Sequence, residues 1–161
     1  MICAFTGHRP EKLPWGSNEE DERCAALKIR LEEAVDQAAA DGCHTFLCGF
    51  ARGCDLYFAE AVLRVKRRRP EIRLEAWLPC PEQADRWTAA DRLRRDGLLL
   101  QCDRVHVTAE SYYPGCMLRR NREMADRARI LLSVWDGSAG GTAWTVKYAE
   151  ARGLEIRPLW L

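Results

Sequence analysis

The stretch ILLSVWDGSAGGTAWT, residues 130–145, passes from a strand-like run through a glycine loop into a helical pattern. Its first residues are almost entirely apolar, as in a strand that is covered on both faces of a parallel sheet. The glycine pair allows a tight turn, and the helical pattern continues to residue 152 before Gly153 ends it. A strand followed directly by a helix is part of the βαβ unit from which parallel sheets are built.

The same order of a short apolar run and a longer helical pattern repeats along the chain. Strands are predicted at residues 2–6, 44–48, 73–78, 104–108, 130–135 and 155–160. Helices are predicted at residues 18–40, 54–68, 82–100, 115–128 and 141–152. This alternation predicts an α/β fold: a single Rossmann-like, three-layer domain over residues 1–161, with a mainly parallel sheet of about six strands.

The bulk composition excludes several classes of protein. Hydrophobic residues make up 47% of the 161 residues and charged residues 30%, which is typical of globular domains and not of disordered chains. The net charge of +1 gives no global field to attract nucleic acid, and no apolar run approaches the roughly 18–20 residues of a membrane span. We therefore expect neither a membrane nor nucleic acid as a partner.

The eight cysteines lie mostly within apolar runs, where free cysteine behaves as a small hydrophobic residue. No export signal is visible, because the first apolar run is short and lacks a basic lead-in. Reduced thiols in the cytoplasm are therefore the preferred interpretation. Cys43, Cys48 and Cys54 lack the spacing of a zinc site, so no metal is expected.

The loops after the first, second and fifth predicted strands all contain glycine, and the carboxyl ends of parallel strands meet at one edge of a sheet. After the fifth strand, Gly140 and Gly141 remove the Cβ atoms that would hold a ligand away from the backbone, and Thr142 caps or opens the next helix. The unpaired amides and dipole of that helix predict a phosphate site. The alternative is that the glycines only make a tight turn.

The loop after the second strand, GFARGCD, repeats this pattern. Gly49 and Gly53 permit close approach of a ligand to the backbone, and Arg52 offers a planar group suited to phosphate or carboxylate. Asp55 is expected to accept hydrogen bonds from sugar hydroxyls. The alternatives are that Asp55 only favours the helix dipole and that Arg52 is a solvated surface charge.

The loop after the first strand, TGHRP, contains Gly7, which allows the turn, and His8 and Arg9, which project near the same edge. His8 is expected to form a polar wall of the site, and Arg9 to make a charge-assisted contact with the ligand. The alternative is that this histidine is structural or merely exposed.

Two further residues complete the predicted site. Arg120 lies in the predicted helix 115–128 and would add a cation, although solvation at the surface is the usual fate of such arginines. Asp136, directly after the fifth strand, would hold ribose hydroxyls together with Asp55.

In these motifs the chain resembles the SLOG superfamily, the Rossmann-like group that includes the lonely-guy phosphoribohydrolases and DprA. The resemblance rests on TGHRP, GFARGCDLYFAEA, LPCPE, MLRRNREMAD and DGSAGGTAWTVKYAEARGLEI, which occur in the same order over nearly the whole chain. Similarity is closest to the bacterial YpsA-like branch, which is uncharacterised. The resemblance implies a compact α/β fold that binds a nucleotide-like ligand over the loops of the first and fifth strands, often as a homodimer.

The resemblance carries over less well to catalysis. Lonely-guy enzymes pair an arginine in a Met-x-x-Arg-Lys pattern with a glutamate after a Pro-Gly-Gly-x-Gly-Thr loop. Met117 and Arg120 match the first motif, but Lys147 or Thr145 stands where the glutamate belongs. Because hydrolysis of an N-glycosidic bond needs a carboxylate, this difference argues against an enzyme. Arg120 is the one catalytic candidate should the protein be an enzyme.

We therefore expect a cytoplasmic sensor or regulator that binds a nucleotide derivative, either ADP-ribose-like or a nucleotide phosphate, with no required cofactor. The first alternative is a hydrolase that acts on a nucleotide N-glycosidic or phosphoester bond. The second is single-stranded DNA binding of the DprA type, which the near-neutral net charge disfavours.

Overall fold

The computed structural model describes residues 1–161, which form a three-layer α/β domain. Its strands are β1 (Ile2–Gly7), β2 (Thr45–Cys48), β3 (Arg73–Leu78), β4 (Arg104–Val107), β5 (Ile130–Trp135) and β6 (Glu155–Trp160). Its helices are α1 (Glu22–Ala40), α2 (Cys54–Lys66), α3 (Ala89–Leu99), α4 (Cys116–Arg127) and α5 (Gly141–Ala151). A 3-10 turn, Pro10–Lys12, follows β1.

The six strands form one sheet in the order β4-β3-β2-β1-β5-β6, and every neighbouring pair is parallel. Strands β1 to β4 follow one another toward one edge, whereas β5 and β6 lie on the other side of β1. The order of the strands therefore reverses between β1 and β5, where parallel sheets usually bind ligands. The predicted α/β, Rossmann-like fold with a parallel sheet is confirmed.

Alternate residues of each strand pack against the two helical layers. On β1, Cys3 and Phe5 belong to the larger core with helices α1 to α3, whereas Ala4 belongs to the smaller core with α4 and α5. The Phe5 ring stacks on Phe58 of α2, with 4.4 Å between ring centroids. This double covering explains why the strands are apolar on both faces.

Two helices begin later than the sequence pattern predicts, and in both cases a side-chain cap sets the first residue. The helix predicted from residue 18 begins at Glu22, because the Asp21 carboxylate accepts a hydrogen bond from the Arg23 amide. The helix predicted from residue 82 begins at Ala89, after Thr88 caps it. Residues 81–86 form turns instead.

No helix is both long and apolar enough to cross a membrane. All eight cysteines are free thiols, and no cluster of histidine, cysteine, aspartate or glutamate side chains is arranged to hold a metal ion.

Candidate ligand-binding site

A cavity of about 460 Å³ lies at the carboxyl end of β1, beside the reversal of the strand order. Its wall is made by the loop after β1, the loop before α2, and the first turns of α4 and α5. The lining residues are Phe5, Thr6, Gly7, His8, Arg9, Glu11, Lys12, Ala51, Asp55, Tyr112, Gly115, Cys116, Met117, Leu118, Arg120, Asn121, Gly141 and Thr142.

Helices α2, α4 and α5 all begin at this cavity, and none of them has a side-chain cap. Their N-cap residues are Gly53, Gly115 and Gly140. Helices α1 and α3, which begin elsewhere, are capped by Asp21 and Thr88. Uncapped helix N-termini present free amides and positive potential, so their convergence favours an anion in the cavity.

Arg120 lies in the floor of the cavity and is only 3% exposed. Its Nη1 donates hydrogen bonds to the carbonyl oxygens of Gly49 and Trp77, and its Nε donates to Asn121 Oδ1 at 2.7 Å. A Cβ on Gly49 would stand 2.5 Å from the Arg120 Cζ atom, so any side chain there would displace this guanidinium. Burial lowers the pKa of Arg120, and no carboxylate is among its hydrogen-bond partners.

Asn121 extends this network to α5. Its amide nitrogen donates to Thr145 Oγ1 at 3.0 Å, and that hydroxyl donates to the Gly141 carbonyl oxygen at 2.9 Å. The ends of β2 and β3 and the first turns of α4 and α5 are therefore held in one hydrogen-bonded unit. Thr145, one of the two residues at the position of the lonely-guy glutamate, has a structural role in this unit.

Asp55, in the first turn of α2, also lines the cavity and is 7% exposed. Its Oδ2 accepts a hydrogen bond from the Ala51 amide at 3.0 Å, and its Oδ1 has no partner in the chain. Burial raises the pKa of Asp55, an effect that the Arg120 charge opposes in part. One carboxylate oxygen is thus available to a hydroxyl group.

His8 is 2% exposed and bonds to the loop after β5. Its Nε2 lies 2.8 Å from Asp136 Oδ1, and because a carboxylate only accepts, Nε2 carries the hydrogen. Hydrogen bonds from Ser138 and then from His8 hold the pKa of Asp136 well below its usual range. The pair ties the loops of β1 and β5 together, and Asp136 itself does not line the cavity.

Two cations at the cavity wall have only weak or neutral partners. Arg9 Nη2 donates to the thioether sulfur of Met117 at 2.7 Å, a poor acceptor for a guanidinium. The Lys12 ammonium donates to Ser138 Oγ at 2.9 Å and to the Ala139 carbonyl oxygen. Both side chains are therefore free to exchange these partners for an anion.

Glycines expected to admit a ligand also serve the packing of the chain itself. A Cβ on Gly7 would stand 2.7 Å from Cys54 Cβ, and one on Gly53 would stand 2.9 Å from the His8 carbonyl oxygen. Gly141 differs, because a Cβ there would meet nothing within 4 Å. Among these glycines, open space next to the backbone is found at Gly141.

The structure brings together seven of the twelve residues predicted from sequence in the cavity lining: Gly7, His8, Arg9, Asp55, Arg120, Gly141 and Thr142. The other five are not part of the cavity lining: Gly49, Arg52, Gly53, Asp136 and Gly140. The Arg52 guanidinium pairs with Glu11.

Lys12, Thr6, Tyr112 and Asn121 line the cavity but were not predicted. For Thr6 the sequence does carry a signal, because Thr6 is the last residue of the predicted strand 2–6 and points to the same face of the sheet as Ala4. Lys12 and Tyr112 lie in loops whose course the sequence does not reveal.

A parallel sheet whose strand order reverses beside a cavity, with helix N-termini facing that cavity, defines a Rossmann-like α/β domain with a candidate ligand site. More narrowly, the chain belongs to the YspA SLOG family, because the model of that family matches residues 3–155. The resemblance to the YpsA-like branch is confirmed.

Among its relatives are UPF0398 proteins of Bacillus species. The chain is 26% identical to the UPF0398 protein of Bacillus pumilus strain SAFR-032, over 92% of this chain and 81% of the relative. It is 24% identical to that of Bacillus cereus strain G9842, over 94% of this chain and 84% of the relative.

Two solved structures of DNA processing protein A (DprA) share the fold. The Streptococcus pneumoniae protein superposes with a TM-score of 0.63 at 18% identity, covering 98% of this chain and 49% of that one. The Helicobacter pylori protein, whose structure concerns its single-stranded DNA binding mode, superposes with a TM-score of 0.65 at 14% identity, covering 98% and 64%. This chain thus spans about half of the first DprA chain, and at such identities the likeness shows the fold alone.

Proposed function

We propose that this protein binds a phosphate-bearing nucleotide derivative in the cavity beside β1 and acts as a sensor or regulator. The observation that carries the proposal is Arg120, a buried guanidinium with no carboxylate among its hydrogen-bond partners, in a cavity where three helices begin without side-chain caps. A buried charge of this kind is costly unless an opposite charge offsets it. The Asp55 carboxylate offsets part of the Arg120 charge, and a bound anion would offset the rest.

The other charges of the lining also favour an anion. Arg9 and Lys12 add positive charge, and the carboxylate of Glu11 is already paired with Arg52. Asp55 is the remaining carboxylate of the lining; burial raises its pKa, and the Arg120 charge lowers it in part. Helix N-termini contribute the equivalent of about half a positive charge each.

The remaining lining suits the nucleoside part of such a ligand. A cavity of about 460 Å³ falls within the range of small-molecule sites. The free Oδ1 of Asp55 would accept a hydrogen bond from a ribose hydroxyl. Tyr112, which is 58% exposed at the wall, would offer its ring for stacking on a base.

Binding is proposed in preference to hydrolysis because of what stands after the Gly140–Gly141–Thr142 loop. Thr145 is committed to the network with Asn121, and Lys147 is exposed on the outer side of α5. Neither is a carboxylate. In the hydrolase alternative, Asp55 would supply the carboxylate that the reaction needs. Release of free base or phosphate from a panel of nucleotides would establish this alternative.

Calorimetry with a panel of nucleotides, with Gly141→Glu as the disabling variant, tests the proposal. The new carboxylate would occupy open space at the first turn of α5 and repel an anion there. We expect at least a 100-fold loss of affinity, since like charges about 4 Å apart near a protein surface repel by several kcal/mol. Gly97→Glu is the matched control, because Gly97 lies in α3 with nothing within 4 Å. Equal affinity of the Gly141 and Gly97 variants would refute the proposed site.

Single-stranded DNA is the second candidate ligand, although the near-neutral net charge disfavours nucleic acid. It is favoured by the fold shared with DprA and by the exposed Tyr112 and Tyr113 rings beside the cavity. A mobility shift with a mixed-sequence oligonucleotide would test it. If the protein binds the phosphate backbone of the DNA, its affinity must fall steeply as the salt concentration is raised.

Two further expectations belong to the same proposal: a homodimer, and a place in the cytoplasm. Sedimentation of the purified protein tests the first, and cell fractionation tests the second.

A further inference from the structure

Lys12 closes the end of the cavity where α5 begins. Its side chain crosses from the 3-10 turn after β1 to the loop after β5, where it bonds to Ser138 and Ala139. A Cβ on Gly140 would lie 2.9 Å from the Lys12 ammonium, and the φ of 145° at Gly140 also favours glycine. The Lys12 side chain can therefore cross at this point because residue 140 is a glycine. A cation held by neutral oxygens at the positive end of a helix is electrostatically unfavourable unless an anion joins it.

The groups around Lys12 are hydrogen-bond donors without acceptors. The backbone amides of Gly141, Thr142 and Ala143 have no acceptor in the chain, and α5 has no side-chain cap. The Thr142 side chain is more than nine-tenths buried, lines the cavity, and forms no hydrogen bond within the chain. With two of its hydrogens used, the Lys12 ammonium has one more to donate.

We propose that Lys12 makes this end of the cavity specific for a terminal phosphate, that is, for a phosphomonoester and against a phosphodiester. The inference rests on the proposed function. A phosphomonoester has three free oxygens and a charge of about −1.5 to −2 at neutral pH. A diester has one free oxygen fewer to accept hydrogen bonds from these donors, and it carries a single negative charge. The surplus of donors and the added ammonium therefore match the monoester.

Two sources could supply this group: a free nucleotide, or the phosphorylated 5′ end of a nucleic acid strand. The test therefore compares four probes: adenosine 5′-monophosphate, its 3′,5′-cyclic diester, and one short single-stranded oligonucleotide with either a 5′-phosphate or a 5′-hydroxyl. Preference for the free monophosphate indicates the first source. Preference for the 5′-phosphorylated strand over its hydroxyl form indicates the second.

Lys12→Met removes the ammonium and keeps most of the side-chain length, and Lys147→Met removes the same charge from the exposed side of α5. We expect the wild type and the Lys147 variant to prefer the monoester by about tenfold or more, the usual effect of one charge-assisted hydrogen bond. The Lys12 variant should lose most of that preference. Because the hydrogen bonds of Lys12 are at the surface, we expect both variants to remain folded, and thermal melting checks this.

The possible results separate this inference from the function on which it rests. If phosphate compounds bind but the monoester has no advantage, or if Lys12→Met retains the advantage, the role of Lys12 is refuted while the proposed function stands. If neither nucleotides nor strands bind to the wild type, both are refuted.

Discussion

Replacing Gly49 with alanine would test whether the buried guanidinium of Arg120 organises the cavity floor. The added Cβ would lie 2.5 Å from Arg120 Cζ and 2.6 Å from its Nη1, so the guanidinium has to move. Gly49 is not among the residues with positive φ, so alanine brings no backbone strain at this position. The cost therefore measures the displacement of Arg120.

The size of the effect follows from the bonds that the move breaks. Arg120 Nη1 would lose the carbonyl oxygens of Gly49 and Trp77. A hydrogen bond to a charged group contributes about 1.5–3 kcal/mol, and relaxation recovers part of the loss, so we expect destabilisation of about 3 kcal/mol. For a domain of this size, this lowers the melting temperature by roughly 6–12 °C.

Urea unfolding of a double-mutant cycle provides the assay. In an Arg120→Met background the guanidinium is absent, so Gly49→Ala should cost less than about 1 kcal/mol there. Gly97→Ala, in open space within α3, should instead stabilise by about 0.5–1 kcal/mol. If Gly49→Ala costs the same in both backgrounds, the clash does not involve Arg120 and the reasoning is wrong.

Two further predictions concern an ion-pair cluster between α2 and α3 and the loop before α5. Arg94 pairs with Glu19 and Glu60, and although burial alone would raise the pKa of Glu19, the Arg94 pair holds it below its usual value. The ion pair therefore stabilises the fold above the pKa of Glu19 in the unfolded chain, near 4.3, and this stabilisation is lost as the pH falls. Arg94→Met should lower the free energy of unfolding by about 1–2 kcal/mol at pH 7 and progressively less below pH 4, as measured by urea titration. Trp135 Nε1 donates to the Ser138 carbonyl oxygen at 2.8 Å, so Trp135→Phe should free the loop before α5 and weaken nucleotide binding about threefold to tenfold by calorimetry, an effect that unchanged affinity would exclude.

Much of the fold could be predicted from the sequence, because strands covered on both faces produce continuous apolar runs. All six strands lie where the runs predict them, to within two residues. Parallel topology also predicts that the loops after the strands meet at one edge of the sheet. In the structure, His8, Asp55 and Gly141 from three such loops and the helices after them line one cavity. The start of α3 was missed because its cap, Thr88, follows turns that carry a helix-like composition.

The chemical reason for several site residues could not be predicted, because it depends on contacts between distant segments. Gly49 looked like an opening for a ligand, yet its space is filled by Arg120, which is 71 residues further along. Arg52 looked like a phosphate ligand, yet its nearest acid is Glu11. Lys12 carries no motif, and only the fold brings it to the start of α5.

The strand order has a consequence for the protein while it is being made. Cys3 of β1 pairs with Ile130 of β5, so one flank of the first strand stays open until residues 130–135 have left the ribosome. An apolar strand with an open edge is prone to aggregation, so the nascent chain carries this risk until β5 can pair with β1. Because Gly141 and Thr142 of α5 also line the cavity, a chain that stops before β5 and α5 lacks part of the proposed site.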